Sequence, residues 1–136
     1  MNFPYVTALT AGVIIILQII LAMRVSGVRG QKKVGVGDGG DQEMLRPMRR
    51  HGNLAENSGI YIAGLALLEL SGSLSLLLVG LCFAFMLVRV VHAIGLSQTN
   101  TMNAFRLMGG AGTYLIGFTL GGALIWVSLV SSHIFG

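Results

Sequence analysis

Apolar residues run almost unbroken along Tyr5 to Met23, Leu74 to Val91 and Leu107 to Val130. Each stretch is near or above the ~18 to 20 residues that a helix needs to cross ~30 Å of hydrocarbon. A fourth run, Ile60 to Leu70, is too short: at ~1.5 Å per residue it covers about 16 Å. Directly before it stands RPMRRHGNLAEN, residues 46–57, which mixes arginines, a histidine, two asparagines and a glutamate. The pattern predicts an all-α fold, a four-helix integral membrane bundle in one domain over residues 1–136. Its helices are expected at about 4–24, 46–70, 74–96 and 104–131.

The punctuation between the runs fits that division. Pro4 stands near the start of the first helix, where a missing N–H does little harm, and Pro47 falls in the first turn expected for the second. SGVRGQKKVGVGDGGDQE, residues 26–43, is rich in glycine and charge and is expected to be a flexible loop. Its GVGDGG lacks the GK[ST] of a phosphate loop, so it is a linker. The SGS turn at residues 71–73 makes the second and third helices antiparallel neighbours, and Thr101 or Asn103 can cap the fourth. Trp126 lies near the far end of that helix as an interface anchor. Gly117 and Gly121 form a small-xxx-small pair, equally suited to contacts within the chain or between chains.

Composition sharpens the membrane reading. Of 136 residues, 54% are hydrophobic and 10% charged, with a mean hydropathy of +0.79, a balance that a small water-soluble domain could hardly cover with polar surface. The first helix lacks the basic residue that precedes a secretory signal, and its apolar run is longer than a signal core, so it is a retained anchor. The formal charge is +4, but the basic residues gather at membrane boundaries and do not indicate a nucleic-acid partner. Arg24, Arg29, Lys32, Lys33, Arg46, Arg49 and Arg50 flank the first connection. By the positive-inside rule the first and third connections are cytoplasmic and both termini outside. Cys82, the only cysteine, is a buried apolar filler, and the scattered histidines, with His133 near the end, give no metal-ligand spacing.

The second helix spans only if its polar half enters the membrane. Charged groups at that depth cost at least ~2.5 to 3.5 kcal/mol each when they face lipid, so they must face protein or a water-filled cavity. Arg49, Asn53 and Glu56 share one helical face, while Arg46 and Arg50 can snorkel. On the third helix Arg89 and His92 share a face, and counting from the turn brings Arg89 level with Glu56, which predicts an ion pair. Arg106 adds a cation from the fourth helix. Two readings follow: the charges lock the helices and mark a boundary, or they line a cationic pocket with one carboxylate, suited to a small anion carrying an ammonium group. Gln18 is expected to bond between helices and His51 to be solvated. Tyr61 and Tyr114 are expected to pack.

The motif Arg49-x-x-x-Asn53-x-x-Glu56 at the start of the second helix, followed by RVVHAIGL at residues 89–96, resembles the MAPEG family, membrane-associated proteins in eicosanoid and glutathione metabolism. The likeness covers nearly the whole chain, and its short loops look like those of bacterial members, which implies a bacterial inner membrane. It implies a homotrimer with glutathione held between subunits near the cytoplasmic side, and a small hydrophobic electrophile or peroxide arriving from the bilayer. Arg49 and Asn53 would hold the peptide, Glu56 its amino group, and Arg89 and His92 would line or brace the pocket. Arg106 would stabilise the thiolate as the catalytic residue: a thiol of pKa ~8.5 is only slightly ionised at neutral pH, and a guanidinium in a low-dielectric pocket favours its ionised form.

Departures from the family pattern are Leu96, where many enzymes have a tyrosine, Gly52, where many have a polar or basic residue, and a His92-to-Arg106 spacing one residue longer than in eukaryotic synthases. The expected function is a glutathione-dependent membrane transferase or peroxidase. A non-catalytic lipid-binding member is the alternative. A small multidrug transporter is disfavoured, since its acid would stand on the first helix.

Overall fold

The computed structural model describes residues 3–72, 75–98, 100 and 103–131. Leu74, Thr101 and His133, singled out above, lie outside the described residues, as does Ser73 of the short turn. The described residues form four helices: α1 Tyr5–Lys32, α2 Gln42–Leu70, α3 Ser75–Gly95 and α4 Ala104–Ser131. α1, α3 and residues 104–130 of α4 are long and apolar enough to cross a membrane. The chain is an all-α membrane bundle.

Two boundaries differ from expectation. α1 does not end near 24 but continues through Lys32, and α2 begins at Gln42, a turn ahead of 46. An apolar run marks where lipid ends, whereas a helix ends where its backbone finds other partners. Gly27 and Gly30 cost the extension about 1 kcal/mol each, but Arg29 on its inner side reaches Met48 of α2, with Nη2 3.6 Å from the sulfur. The connection shrinks to residues 33–41. Lys33 leaves α1 in the left-handed region at φ 54°, and the Arg29 guanidinium donates to the carbonyl of Gly35 at 3.1 Å.

At the other end of the connection, the Asp41 carboxylate caps α2 by accepting from the Glu43 N–H at 2.8 Å. Lys32 then joins the two helices, its Nζ 2.7 Å from Asp41 and also bound to Glu43. Pro47 consequently sits inside α2 rather than in its first turn. It denies the Glu43 carbonyl an intrahelical partner, and exposed Glu43 can turn to water instead.

α1 packs mainly on α2 and α3 mainly on α4, while α2 also touches both α3 and α4. The tight turn after α2 passes through Gly72 at φ 67°, a conformation that glycine adopts without a Cβ penalty. Phe85, Leu54, Leu65, Leu68, Cys82 and Ile14 are buried at the centre, so Cys82 is the filler expected. Ile15, Ile16, Ile19, Leu115, Phe118 and Trp126 are exposed on α1 and α4, the faces that meet hydrocarbon.

Glu69, unremarked in the sequence, closes the opposite end of the bundle. Its carboxylate accepts from the backbone N–H groups of Val6 at 2.9 Å and Thr7 at 2.8 Å. Pro4 provides no side-chain cap there, so a residue of α2 caps α1, placing negative charge at the positive end of its dipole. Gln18 makes a second tie between these helices, its Nε2 lying 2.8 Å from His51 Nε2. The expected bond of Gln18 is present; His51, expected to be solvated, is its partner.

Glu69→Ala should destabilise the protein by about 1–3 kcal/mol, since it orphans two helix-terminal donors; thermal unfolding in detergent checks this, with Glu69→Gln falling between. The Lys32 clasp carries its own pH signature. Hydrogen bonds to Asp41 and then Glu43 push the Lys32 ammonium up to about 12, and the Lys32 bond holds Asp41 below the usual carboxylate range. The Asp41 contribution is present above its unfolded pKa of ~3.9 and lost as pH falls through its lowered value; that of Lys32 is present below ~10.4 and lost as pH rises towards 12. Amide exchange of residues 33–41 should therefore be slowest between roughly pH 5 and 10, after correction for the intrinsic rate.

Candidate functional site

Close approach of α3 and α4 creates the site. A Cβ on Gly109 would stand 2.5 Å from the Cβ of His92 and one on Gly112 2.6 Å from a Val88 methyl, while one on Gly95 would collide with the Arg106 backbone nitrogen. None of these positions has room for a side chain without a shift, so the helices touch almost backbone to backbone. Asn103 secures the junction. Its Oδ1 accepts from the Arg106 N–H at 2.9 Å, capping α4, while its Nδ2 donates to the Gly95 carbonyl at 2.8 Å. Of the two caps proposed for α4, Asn103 is the one the described residues contain.

Within this contact, Arg89 is 2% exposed and acts as a bracket between three helices. Its Nη1 donates to Thr113 Oγ1 at 3.0 Å, and its Nη2 donates to the Asn53 carbonyl at 3.1 Å and also to Asn53 Oδ1. Thr113 passes the chain on, donating to the Gly109 carbonyl at 2.7 Å. The expected Glu56–Arg89 ion pair is not formed. Counting along the helices carried no information on direction: Asn53 faces α3, whereas Glu56, about 60° further round α2, is exposed on the outer face. Its influence on Arg89 is electrostatic, across space.

Above the bracket lies a cavity of about 790 Å³, lined by Arg46, Arg49 and Asn53 of α2, His92 and Leu96 at the end of α3, and Asn103, Arg106, Gly110 and Tyr114 at the start of α4. Four of the residues singled out from the sequence, Arg49, Asn53, His92 and Arg106, thus share one wall. Arg89 braces it from beneath. Glu56 lies outside it, its carboxylate turned towards Gly52, where an added Cβ would be 3.8 Å away. His92 is 8% exposed, with its Nδ1 buried beside the Arg106 backbone, and Arg89 Nε is buried without a hydrogen-bond partner.

The sequence reading missed Arg46, placed as a snorkelling residue, and Tyr114, expected to pack. The signal for Tyr114 was available: Arg106, Gly110 and Tyr114 are four apart and share a face. Tyr61 does pack, stacking on Phe85 at 4.8 Å and donating to the Thr113 carbonyl at 2.6 Å. Arg50, also expected to snorkel, donates from Nε to the Ala93 carbonyl at 2.9 Å, tying down the end of α3. The glycine pair divides: a Cβ on Gly117 would meet the Tyr61 hydroxyl at 2.5 Å, while Gly121 faces open space. Among the described residues no group of three His, Cys, Asp or Glu is placed to hold a metal.

Fold and site together define a four-helix membrane protein with a cationic cavity at the end where α2 and α4 begin and α3 ends. A family model described as MAPEG family matches residues 7–126, and the chain belongs to that family. Comparisons with curated proteins and with solved structures gave no match. Membership sets the chain, at the coarse level, among glutathione- and lipid-related membrane proteins.

Gly109→Ala forces α4 from α3 at the cavity floor. It should cost about 1–3 kcal/mol, the usual penalty of overpacking, read as a lower melting temperature. Gly121→Ala, where nothing lies within 4 Å, should leave the melting temperature unchanged or raised.

Proposed function

We propose that the protein is a glutathione-dependent membrane transferase or peroxidase acting on lipophilic electrophiles. The observation that carries this reading is the convergence of Arg49, Asn53, His92 and Arg106 from three helices on one cavity. Its volume of about 790 Å³ lies within the ~300–1,000 Å³ of ordinary small-molecule sites. Arg46 and Arg49 supply guanidinium donors for the two carboxylates of glutathione. His92 adds an imidazole to the same lining.

Glutathione, when bound, supplies a thiol as nucleophile or reductant. Arg106, beside the cavity at the α4 terminus, favours the ionised sulfur by its fixed charge, which needs no catalytic base. Asn53 is held in place by Arg89, which leaves its amide N–H groups for the peptide. Tyr114 and Leu107 extend the wall along α4, an approach for a hydrophobic substrate from the bilayer.

Glu56 supports a homotrimer. It is exposed on the same face of α2 as Gly59, Ile60, Ala63 and Leu67, at a depth where a lipid-facing carboxylate is disfavoured. A neighbouring copy would cover that face and bring Glu56 to the amino group of glutathione held between subunits. The basic connection ends then face the cytoplasm, by the positive-inside rule, across what the short loops suggest is a bacterial inner membrane.

The Leu96 side of the cavity favours a second reading, a non-catalytic lipid-binding member: an apolar side chain stands where many family enzymes place a phenol. Calorimetric titration with glutathione and the thiolate absorbance near neutral pH separate the two. Saturable binding with thiolate formation supports the enzyme, and no binding at millimolar glutathione supports the lipid binder. In Arg106→Ala, binding should persist while conjugation of a lipophilic electrophile falls about ten- to hundredfold; unchanged turnover removes the role given to Arg106. Glu56→Ala should weaken both glutathione binding and trimer assembly, read by calorimetry and mass in detergent.

A further inference from the structure

A second cavity, of about 650 Å³, lies between α1 and α2 at the same end of the bundle and, apart from the shared Arg46, takes no part in the function proposed above. Arg24, Arg46 and Arg50 line it, with Ile20, Met23 and Val28 as its apolar wall. Arg50 spends its Nε on the Ala93 carbonyl, and its terminal nitrogens keep their donors. Among the described residues, Arg24 and Arg46 meet no carboxylate within ion-pair distance. Glu43 also lines it, but three guanidinium groups outnumber that one carboxylate, which Lys32 already engages together with Asp41. The cavity therefore holds an excess of positive charge in which Arg24 and Arg50 act on each other unfavourably. An anion lying between them relieves that repulsion.

Depth and shape decide which anion. Tyr5 to Arg24 spans about 29 Å of helix, close to the full hydrocarbon thickness, so the guanidinium groups stand at the level of lipid phosphates. The apolar side of the cavity continues into exposed Ile16, Ile19, Ile20 and Met23 of α1. A free phosphate would leave that surface unused, while an acyl chain would run along it. Gly27 faces open space in the cavity, with no atom within 4 Å of an added Cβ, and leaves the breadth a headgroup needs.

We propose that this cavity is a binding site for an anionic phospholipid, its phosphate held by Arg24, Arg46 and Arg50 and an acyl chain laid along α1. Arg46 also lines the larger cavity, so an anion on its guanidinium alters the charge presented to a ligand next door. The site itself requires only the membrane setting, and its test needs no glutathione.

The full-length protein, delipidated in a neutral detergent, is titrated with phosphatidylglycerol, phosphatidylcholine or inorganic phosphate; bound lipid is read by native mass spectrometry and stability by melting temperature. Phosphatidylglycerol should be retained and raise the melting temperature, with phosphatidylcholine and phosphate giving little. Arg24→Gln should weaken phosphatidylglycerol binding about fivefold, the contribution of one arginine near an anionic headgroup. Gly27→Leu should block the site while keeping every charge, and both variants should melt like the parent in the absence of lipid. Should Gly27→Leu fail to fold, Arg24→Gln decides, since its side chain is exposed. Equal retention of the two lipids, or undiminished binding by Arg24→Gln and Gly27→Leu, overturns the proposal, as would a second copy of the chain seated in the groove. An equal response to inorganic phosphate would overturn the lipid assignment and leave a free-anion site.

Discussion

The architecture turns on a shortage of apolar length in α2. Its greasy segment, Ile60 to Leu70, is long enough for about half of a bilayer core, and α2, unlike the other three described helices, is not apolar enough to cross a membrane by itself, so its polar half needs housing by protein. α3 and α4 provide the housing. Arg89 reaches across to Asn53 and Thr113, converting a polar helix face into a hydrogen-bonded seam. Polar groups unsatisfied in hydrocarbon cost several kcal/mol each, which makes such a seam a condition of spanning as much as a functional device.

Glycine sets how near the housing can come. Gly95, Gly109 and Gly112 let α3 and α4 meet where any side chain would collide with the opposing helix. In a lipid environment helix association draws on packing and interhelical hydrogen bonds because hydrocarbon already solvates apolar side chains. The same contact fixes where His92 and Arg106 stand relative to one another. Asn103, which caps α4 and bonds to the end of α3, ties the cavity to the geometry of that junction.

α1 is secured at both ends by charge. Glu69 of α2 holds its first turn, and Lys32 on its last residue holds the start of α2. Between them Gln18 and His51 make a polar contact. The two-ended attachment leaves the outer face of α1 to lipid, and at the basic end it opens the groove that Arg24, Arg46 and Arg50 line.

The order of hydrophobic and polar residues by itself determined the number of helices, their membrane character and the choice of Arg49, Asn53, His92 and Arg106 as candidates, because span length and helical periodicity are local properties of the chain. It did not determine the ends of α1 and α2, which depend on Arg29, Lys32 and Asp41 meeting across the connection. Nor could it give the direction of Glu56: equal depth on two helices says nothing of rotation about each axis, which is settled by how α2 lies against α3 and α4. The roles of Glu69 as a cap for α1 and of Tyr114 and Arg46 as cavity wall also belong to the tertiary structure, since each depends on a neighbouring helix that the linear pattern does not place.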